Sequence, residues 1–166
     1  MKRPFVLLGL VFSVLSLQLP SASALKVSGC WETKPSEKRF VRLTNSARSA
    51  RDIRKLTVDV DLSKAARLHS RKMAAQGKLF HSTAGDIDPL LSGRWVFIGE
   101  NVGYGATVEA IQNAFMGSKY HRRNVLDRDF KRMGVGVVRE DGLIWVTVWF
   151  QQGRDDVETT FRMQAC

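Results

Sequence analysis

The sequence predicts an α+β fold, a three-layer α/β/α sandwich around a central, mainly antiparallel sheet. Two observations lead to this prediction. Apolar residues recur at helical spacings in the earlier part of the chain, whereas the C-terminal part changes to β-rich runs. The last of these runs, residues 143–151, is apolar at almost every position, and a strand without polar alternation is covered on both faces. Helices first and covered strands last indicate helices on both sides of one sheet.

The composition is that of one globular domain. The chain has 166 residues, of which 44% are hydrophobic and 25% are charged, and these values exclude a disordered or collagen-like protein. Two cysteines are too few for a disulfide-dense scaffold or a four-cysteine zinc site, so a hydrophobic core must hold the fold.

Residues 1–24 follow the pattern of a secretory signal peptide. Lys2 and Arg3 precede an apolar stretch over residues 5–17, and small residues end the segment at Ala24, after which we expect cleavage. The apolar stretch is shorter than the roughly 20 residues that span a bilayer. We therefore expect a secreted, extracellular protein with a lead at 25–37, a domain at 38–151 and a tail at 152–166.

The two cysteines have two interpretations. In an oxidising compartment, Cys30 and Cys166 are expected to form a disulfide that joins the two ends of the mature chain. Alternatively, residues 27–30 resemble the lipobox of bacterial lipoproteins, and the chain would then be anchored through a lipid on Cys30.

The first helix is predicted at residues 36–50. Phe40, Leu43 and Ala47 form its inward stripe, and the opposite face carries arginines. The residues predicted on that solvent-facing side are Arg39, Arg42 and Arg48.

A second helix is predicted at residues 62–76, capped by Asp61 and ended by Gly77. A third begins after Thr107, whose hydroxyl suits an N-cap. The residues predicted to face inward are Leu62, Ala65, Ala66, His69 and Met73 on the second helix, and Val108, Ile111, Ala114 and Phe115 on the third.

Two strands complete the predicted fold. Residues 133–139 and 143–151 are β-rich, and the Asp141-Gly142 pair between them is a strong hairpin signal. Gly134 and Gly136 lie on one face of the first strand, where small residues permit another segment to approach closely.

Three histidines limit the candidates for chemistry. His69 lies on the inward stripe of the second helix and is interpreted as structural. His81 follows the end of that helix, Glu100 lies in a glycine-rich stretch, and His121 follows the third helix. Their spacing matches no zinc motif, so spacing alone does not bring them together.

Four short segments together resemble the CAP superfamily, which includes the cysteine-rich secretory, antigen 5 and pathogenesis-related proteins. The resemblance is to the bacterial SCP-like extracellular branch and covers residues 38–151. The segments are Phe80-His81-Ser82, Gly99-Glu100-Asn101-Val102, the stretch 115–124 that ends in His121-Arg122-Arg123-Asn124, and Met133-Gly134-Val135-Gly136.

The resemblance implies an α/β/α sandwich with a cleft that contains His81, Glu100 and His121, together with Ser118 and Asn124. Ser118 stands where many eukaryotic members have a second glutamate. The two imidazoles and the carboxylate could hold Zn²⁺ with one position open, or Glu100 could orient a histidine from behind.

Two functions follow from this cleft. The first is binding of a polar or amphipathic ligand, with or without a divalent metal. The alternative is a metal-assisted hydrolase of cell-envelope material, with Glu100 as the candidate catalytic base. A hydrolase built on Ser82 is disfavoured because no nucleophile motif surrounds that serine.

The net charge of +10 points to an anionic partner. Because the chain is predicted to be secreted, we expect an anionic envelope polymer, a glycan or a lipid headgroup. Nucleic acid is not expected, since no aromatic residues are interleaved with the basic ones. The alternative is a solvated basic face without a partner. The basic residues cluster in two groups, Arg48, Arg51, Arg54 and Lys55, and Lys64, Arg67, Arg71, Lys72 and Lys78.

Overall fold

A computed structural model of the chain describes residues 31–83, 86 and 95–153. The predicted signal peptide, Cys30, Cys166 and most of the predicted tail lie outside the described residues. The helices are α1 (Pro35–Ser49), α2 (Val60–Gln76), α3 (Val108–Gly117) and α4 (Lys119–Leu126), and the strands are β1 (Thr57–Val58), β2 (Trp95–Gly105), β3 (Arg132–Glu140) and β4 (Leu143–Gly153).

The strands form one sheet in the order β1-β3-β4-β2. β1 runs parallel to β3, and the other two pairings are antiparallel. Helix α2 packs on one face of the sheet, and α1, α3 and α4 cover the other face. The predicted three-layer α/β/α fold with a mainly antiparallel sheet is confirmed.

Strand β4 shows why polar alternation is missing from its sequence. Ile144, Val146, Val148 and Phe150 belong to the core beneath α1, α3 and α4. Trp145 and Trp149 point to the opposite face, where they pack against α2. Both faces of this central strand are therefore buried, as predicted.

Arg48 does not lie on a solvent face, so that prediction is wrong. Its side chain is fully buried, and its guanidinium donates hydrogen bonds to the carbonyl oxygens of Arg54, Val125 and Asp127, each at 2.8 Å. Burial lowers its pKa. The guanidinium satisfies carbonyl groups at the end of α4 that have no helical partner, which explains how a charged group is accommodated there.

Helix α2 starts earlier than predicted and has a different cap. The Asp59 carboxylate accepts hydrogen bonds from the backbone N–H groups of Asp61 and Leu62, each at 3.0 Å, so Asp61 lies in the first turn instead. Gly77 ends the helix in the left-handed conformation with φ 59°, as predicted. The five residues of the predicted inward stripe are all buried.

The α2 surface approaches β3 very closely at two glycines. A Cβ atom on Gly134 would overlap the backbone carbonyl carbon of Leu62, and one on Gly136 would overlap the backbone nitrogen of Arg67. The predicted close approach is confirmed.

A buried ion pair joins α1 to α2. The Glu37 side chain is fully buried, and its Oε2 lies 2.5 Å from Nη2 of Arg67, whose guanidinium stacks on Trp31 at 3.7 Å from the ring centroid. Glu37 also accepts a hydrogen bond from the Val137 backbone N–H at 3.2 Å. Arg67 is therefore a structural residue and not part of a free basic surface.

Thr107 caps α3 as predicted, because its hydroxyl accepts the Ala110 N–H at 3.1 Å. Ala114 is exposed, so its predicted inward position is wrong. Ser118 begins a further helix, α4, which the sequence pattern did not predict.

Asp141 and Gly142 both have positive φ angles, 47° and 76°, and form the predicted hairpin turn. Within the described ranges, no helix is long and apolar enough to cross a membrane.

Candidate functional site

Glu100 lies on β2, the strand at one end of the sheet, and its side chain is only 11% exposed. Its Oε2 accepts hydrogen bonds from Nδ1–H of His81 at 2.7 Å and from the Ser82 backbone N–H at 3.0 Å. Its Oε1 accepts a third from the Ser82 hydroxyl at 2.7 Å. Because an ionised carboxylate only accepts, Nδ1 of His81 carries a proton, and in the neutral form of the ring the lone pair is therefore on Nε2.

The segment that carries His81 is fixed to α2 at two points. Nε2–H of His69 donates to the Phe80 carbonyl at 2.8 Å, and the two rings meet edge to face. Lys72 pairs with Asp86 at 2.7 Å, and Asp86 also accepts a hydrogen bond from the Thr83 hydroxyl, so these partners lower the pKa of Asp86 far below its usual range. Phe80 and Asp86 are thereby both tied to α2.

His69 is buried, in agreement with its structural interpretation, but it also lies close to the site. Its Nε2 is 3.8 Å from Oε1 of Glu100. Sequence reasoning missed this proximity and the two hydrogen bonds that Ser82 donates. The signal available for Ser82 was its position directly after His81.

His121 approaches the same place from α4. Burial, and then the nearby charge of His81, lower the pKa of His121, so its imidazole is neutral at pH 7. Its ring packs against Phe115 with 4.9 Å between ring centroids. A pocket of about 370 Å³ is lined by His81, Glu100, His121 and Asn124. Its other lining residues are Tyr120, Arg123 and Asp127.

Two asparagines join α4 to β2 beside this pocket. Nδ2 of Asn124 donates to the Glu100 carbonyl at 3.1 Å and to Oδ1 of Asn101 at 2.8 Å. Asn101 is fully buried and donates to the His121 carbonyl at 3.0 Å. Asn101 was not among the predicted site residues, although it follows Glu100 directly in the Gly-Glu-Asn sequence.

Ser118 is the predicted cleft residue that does not line this pocket. It is the N-cap of α4, where its hydroxyl accepts the His121 N–H at 3.5 Å. The structure therefore brings four of the five predicted cleft residues together.

Of the three predicted metal ligands, the two histidines suit a metal better than Glu100 does. Among the described residues, no group of three or more His, Cys, Asp or Glu side chains is arranged to hold a metal ion. Both oxygens of Glu100 already accept hydrogen bonds, so this carboxylate orients His81 from behind. The ring nitrogens that suit a metal are Nε2 of His81 and a nitrogen of the neutral His121.

The profile of the family described as "Cysteine-rich secretory protein family", abbreviated CAP, matches residues 41–150. Among curated proteins, the chain is similar to "Uncharacterized protein YkwD" of Bacillus subtilis (strain 168), with 36% identity over 115 residues. The match covers 66% of this chain and 44% of that protein, so the chain spans less than half the length of this relative.

Two solved structures share the fold. An outer surface protein from Borrelia burgdorferi superposes with a TM-score of 0.67 at 18% identity, covering 75% of this chain and 98% of that one. An extracellular protein containing an SCP domain from Bacillus anthracis superposes with a TM-score of 0.62 at 23% identity, covering 74% of this chain and 45% of the other.

Proposed function

The chain belongs to the CAP family of cysteine-rich secretory proteins, and on this premise we propose that it is an extracellular binding domain. Its ligand is a polar or amphipathic molecule from the envelope or the surroundings of the cell, which enters the pocket between His81 and His121. A divalent metal such as Zn²⁺ is held by the same two imidazoles and supplies positive charge to the ligand.

One observation carries this proposal, the 2.7 Å hydrogen bond from Nδ1 of His81 to Glu100. A carboxylate that accepts the N–H of one ring nitrogen fixes the tautomer and makes the other nitrogen a better metal ligand. The side chain of His81 is 61% exposed, so this nitrogen is open to a metal or a ligand from solution.

The contacts of Glu100 give less support to the alternative, a metal-assisted hydrolase. A general base needs a free lone pair directed at the attacking water, whereas Glu100 accepts three hydrogen bonds within the protein. Ser82 gives no support to a serine hydrolase either, because its hydroxyl donates to the carboxylate and not to a histidine base.

The extracellular location rests on two further observations. Residues 1–24 have the pattern of a secretory signal peptide, and two proteins of the same fold are described as an outer surface protein and an extracellular protein. The proposal includes cleavage after Ala24 and a disulfide between Cys30 and Cys166. Intact mass of the exported protein measures both, and a lipid adduct on Cys30 would overturn the disulfide.

Calorimetric titration with ZnCl₂ tests the metal site. We expect saturable binding that is lost in His81→Ala and His121→Ala and weakened about 10- to 100-fold in Glu100→Gln, because the amide no longer orients His81 as the carboxylate does. Glu140→Gln, which removes an exposed carboxylate at the hairpin, is the matched control and should bind like the parent. Equal affinity of the parent and both histidine variants would remove this pocket from the proposal.

A further inference from the structure

A second pocket adjoins the first and shares His121 with it. It has a volume of about 260 Å³ and a mainly apolar lining. Val102 and Tyr104 of β2 belong to the sheet face that packs on α2, whereas Ile111 and Phe115 belong to the opposite layer. Because the lining comes from both sides of the sheet, this pocket lies across the edge of β2 itself.

The outer edge of β2 presents backbone groups for which the described part of the chain offers no backbone partner. β2 is the last strand of the sheet, and within the described ranges no backbone hydrogen bond from another segment reaches residues 101–105 other than those of β4. The Glu100 carbonyl points away from β4, since it accepts a hydrogen bond from the Asn124 side chain. In an antiparallel strand, the N–H and C=O groups of every second residue point to the same side. Those of Val102 and Tyr104 therefore point outward, as the Glu100 carbonyl does.

We propose that this edge binds an extended peptide as an added strand alongside Val102 and Tyr104. Two N–H and two C=O groups at strand spacing match the backbone of a peptide, which donates and accepts in the same alternation. An acyl chain could fill the apolar pocket, but it has no groups that would pair with the N–H and C=O groups of Val102 and Tyr104.

The pocket also indicates which side chains the peptide carries. Side chains of an added strand alternate between the two faces, so those on the α3 side meet Ile111, Ala114 and Phe115. Gly103 contributes no side chain on that face. A Cβ atom added to Gly103 would lie 3.0 Å from the Phe115 ring. An aliphatic or aromatic residue of the peptide fits there.

The charge around the groove favours an acidic peptide. The exposed Lys78 directly precedes Leu79, which lines the apolar pocket, whereas the exposed Arg123 shares the adjoining polar pocket with the carboxylates of Glu100 and Asp127. The chain as a whole carries a formal charge of +10. This net positive charge favours a peptide with acidic residues on either side of its apolar residue.

The inference goes beyond the proposed metal site, because backbone hydrogen bonding at the edge needs no metal. The test therefore uses the full chain in the presence of EDTA. The probes are fluorescein-labelled heptapeptides of the pattern Thr-Glu-Thr-Xaa-Thr-Glu-Thr with Leu, Val or Phe at the centre, and fluorescence anisotropy measures their binding. We expect saturable binding under these metal-free conditions.

N-methylation of the peptide distinguishes strand addition from other modes. One probe is methylated at its odd-numbered amides and another at its even-numbered amides. Only one of these two sets faces β2 in an added strand, so one probe should lose binding by about tenfold or more and the other should bind like the parent. If both methylated probes bind equally well, or if no heptapeptide binds, the proposal is wrong.

Two pairs of variants locate the binding edge on the protein. Tyr104→Pro removes the outward N–H and Tyr104→Ala keeps it, so the proline variant should bind more weakly than the alanine variant. Ala114→Gln narrows the pocket from an exposed position, whereas Asn113→Gln, also exposed, lies outside the lining and should have no effect. Circular dichroism verifies that each variant is folded. Equal binding within both pairs, or binding of anionic lipid vesicles in place of peptides, overturns the proposal.

Discussion

At the scale of single residues, the two cleft histidines lie in different surroundings. His81 is mostly exposed and donates to the Glu100 carboxylate, whereas His121 is partly buried against Phe115. Burial lowers the pKa of His121 because the protonated imidazole loses hydration, and the charge of His81 acts in the same direction. The surroundings of His121 thus favour a neutral ring with a free lone pair at neutral pH, whereas the Glu100 carboxylate fixes the orientation of the His81 ring.

The lowered pKa of His121 predicts a specific pH dependence of stability. As the pH falls below about 6.5, the unfolded chain takes up this proton before the folded one does, so the free energy of unfolding decreases until the folded pKa is passed. Above that range His121 contributes no dependence. Urea unfolding between about pH 7.5 and about pH 5 measures the slope, which His121→Gln should reduce and the control Tyr120→Phe should leave unchanged. An unchanged slope in His121→Gln would contradict the lowered pKa.

Arg48 shows where residue-level reasoning from sequence fails. Its charge favoured a solvent face, yet it is fully buried, at a spacing of eight residues from the buried Phe40. Its partners are carbonyl oxygens of residues 54, 125 and 127, most of them distant in sequence. Nothing local in the sequence marks those carbonyls as unpaired, so the contact could not be predicted. Phe40, an apolar residue on the same helix, was predicted correctly because its burial depends on apolarity and spacing alone.

At the scale of elements, the contact between α2 and β3 depends on the absence of two side chains. Gly134 and Gly136 allow the helix backbone to lie directly on the strand, and the helix then presents Leu62 and Ala66 to Trp149. This contact was predictable, because two glycines on one face of a strand are typical of a place where another backbone approaches closely.

Gly136→Ala should lower the free energy of unfolding by more than about 3 kcal/mol, because the new methyl group would overlap a backbone atom that cannot move independently of α2. Gly117→Ala is the matched control, since a Cβ there meets nothing within 4 Å. Chemical denaturation of the two variants measures the difference. Equal stability of the two proteins would mean that α2 lies farther from β3 than the structure places it.

Helix α4 is one of the elements that the sequence did not reveal, together with strands β1 and β2. Residues 119–126 begin with charged and polar residues and show little apolar periodicity, and Val125 is the buried residue among them. The helix is specified by its Ser118 cap and by contacts with β2 through Asn101 and Asn124. Such tertiary contacts are not visible in a local pattern, which is why His121 was expected beyond the end of a helix and not within one.

At the scale of the whole molecule, the candidate site is assembled from three separate segments at the edge of the sheet. His81 follows α2, Glu100 lies in β2 and His121 lies in α4, and they meet because β2 is the terminal strand between the two helical layers. The residue types could be selected from the sequence. Their meeting point depends on strand order, which spacing does not encode and which only the family resemblance indicated.

The surface charge of the whole molecule predicts salt-sensitive binding to an anionic polymer. Arg67 and Lys72 of α2 are paired with carboxylates, so the remaining basic face of α2 is smaller than its sequence implies. Arg48 of α1 is buried and adds nothing to the basic surface. Arg71→Glu on this exposed face should lower the salt concentration that elutes the protein from a heparin column. Arg139→Glu changes the net charge equally at the hairpin and should have a smaller effect. An identical shift in both variants would indicate that net charge alone governs retention.

The ring stack at the edge of β2 has a practical consequence. Tyr104 lies over Trp145 with 5.0 Å between ring centroids and an interplanar angle of 27°, and Tyr104 is 53% exposed at the mouth of the apolar pocket. Indole emission depends on the polarity of its surroundings, and a molecule bound against Tyr104 changes the surroundings of this ring stack. The fold therefore contains an intrinsic fluorescent reporter, and occupancy of the groove can be followed by tryptophan emission without attaching a dye.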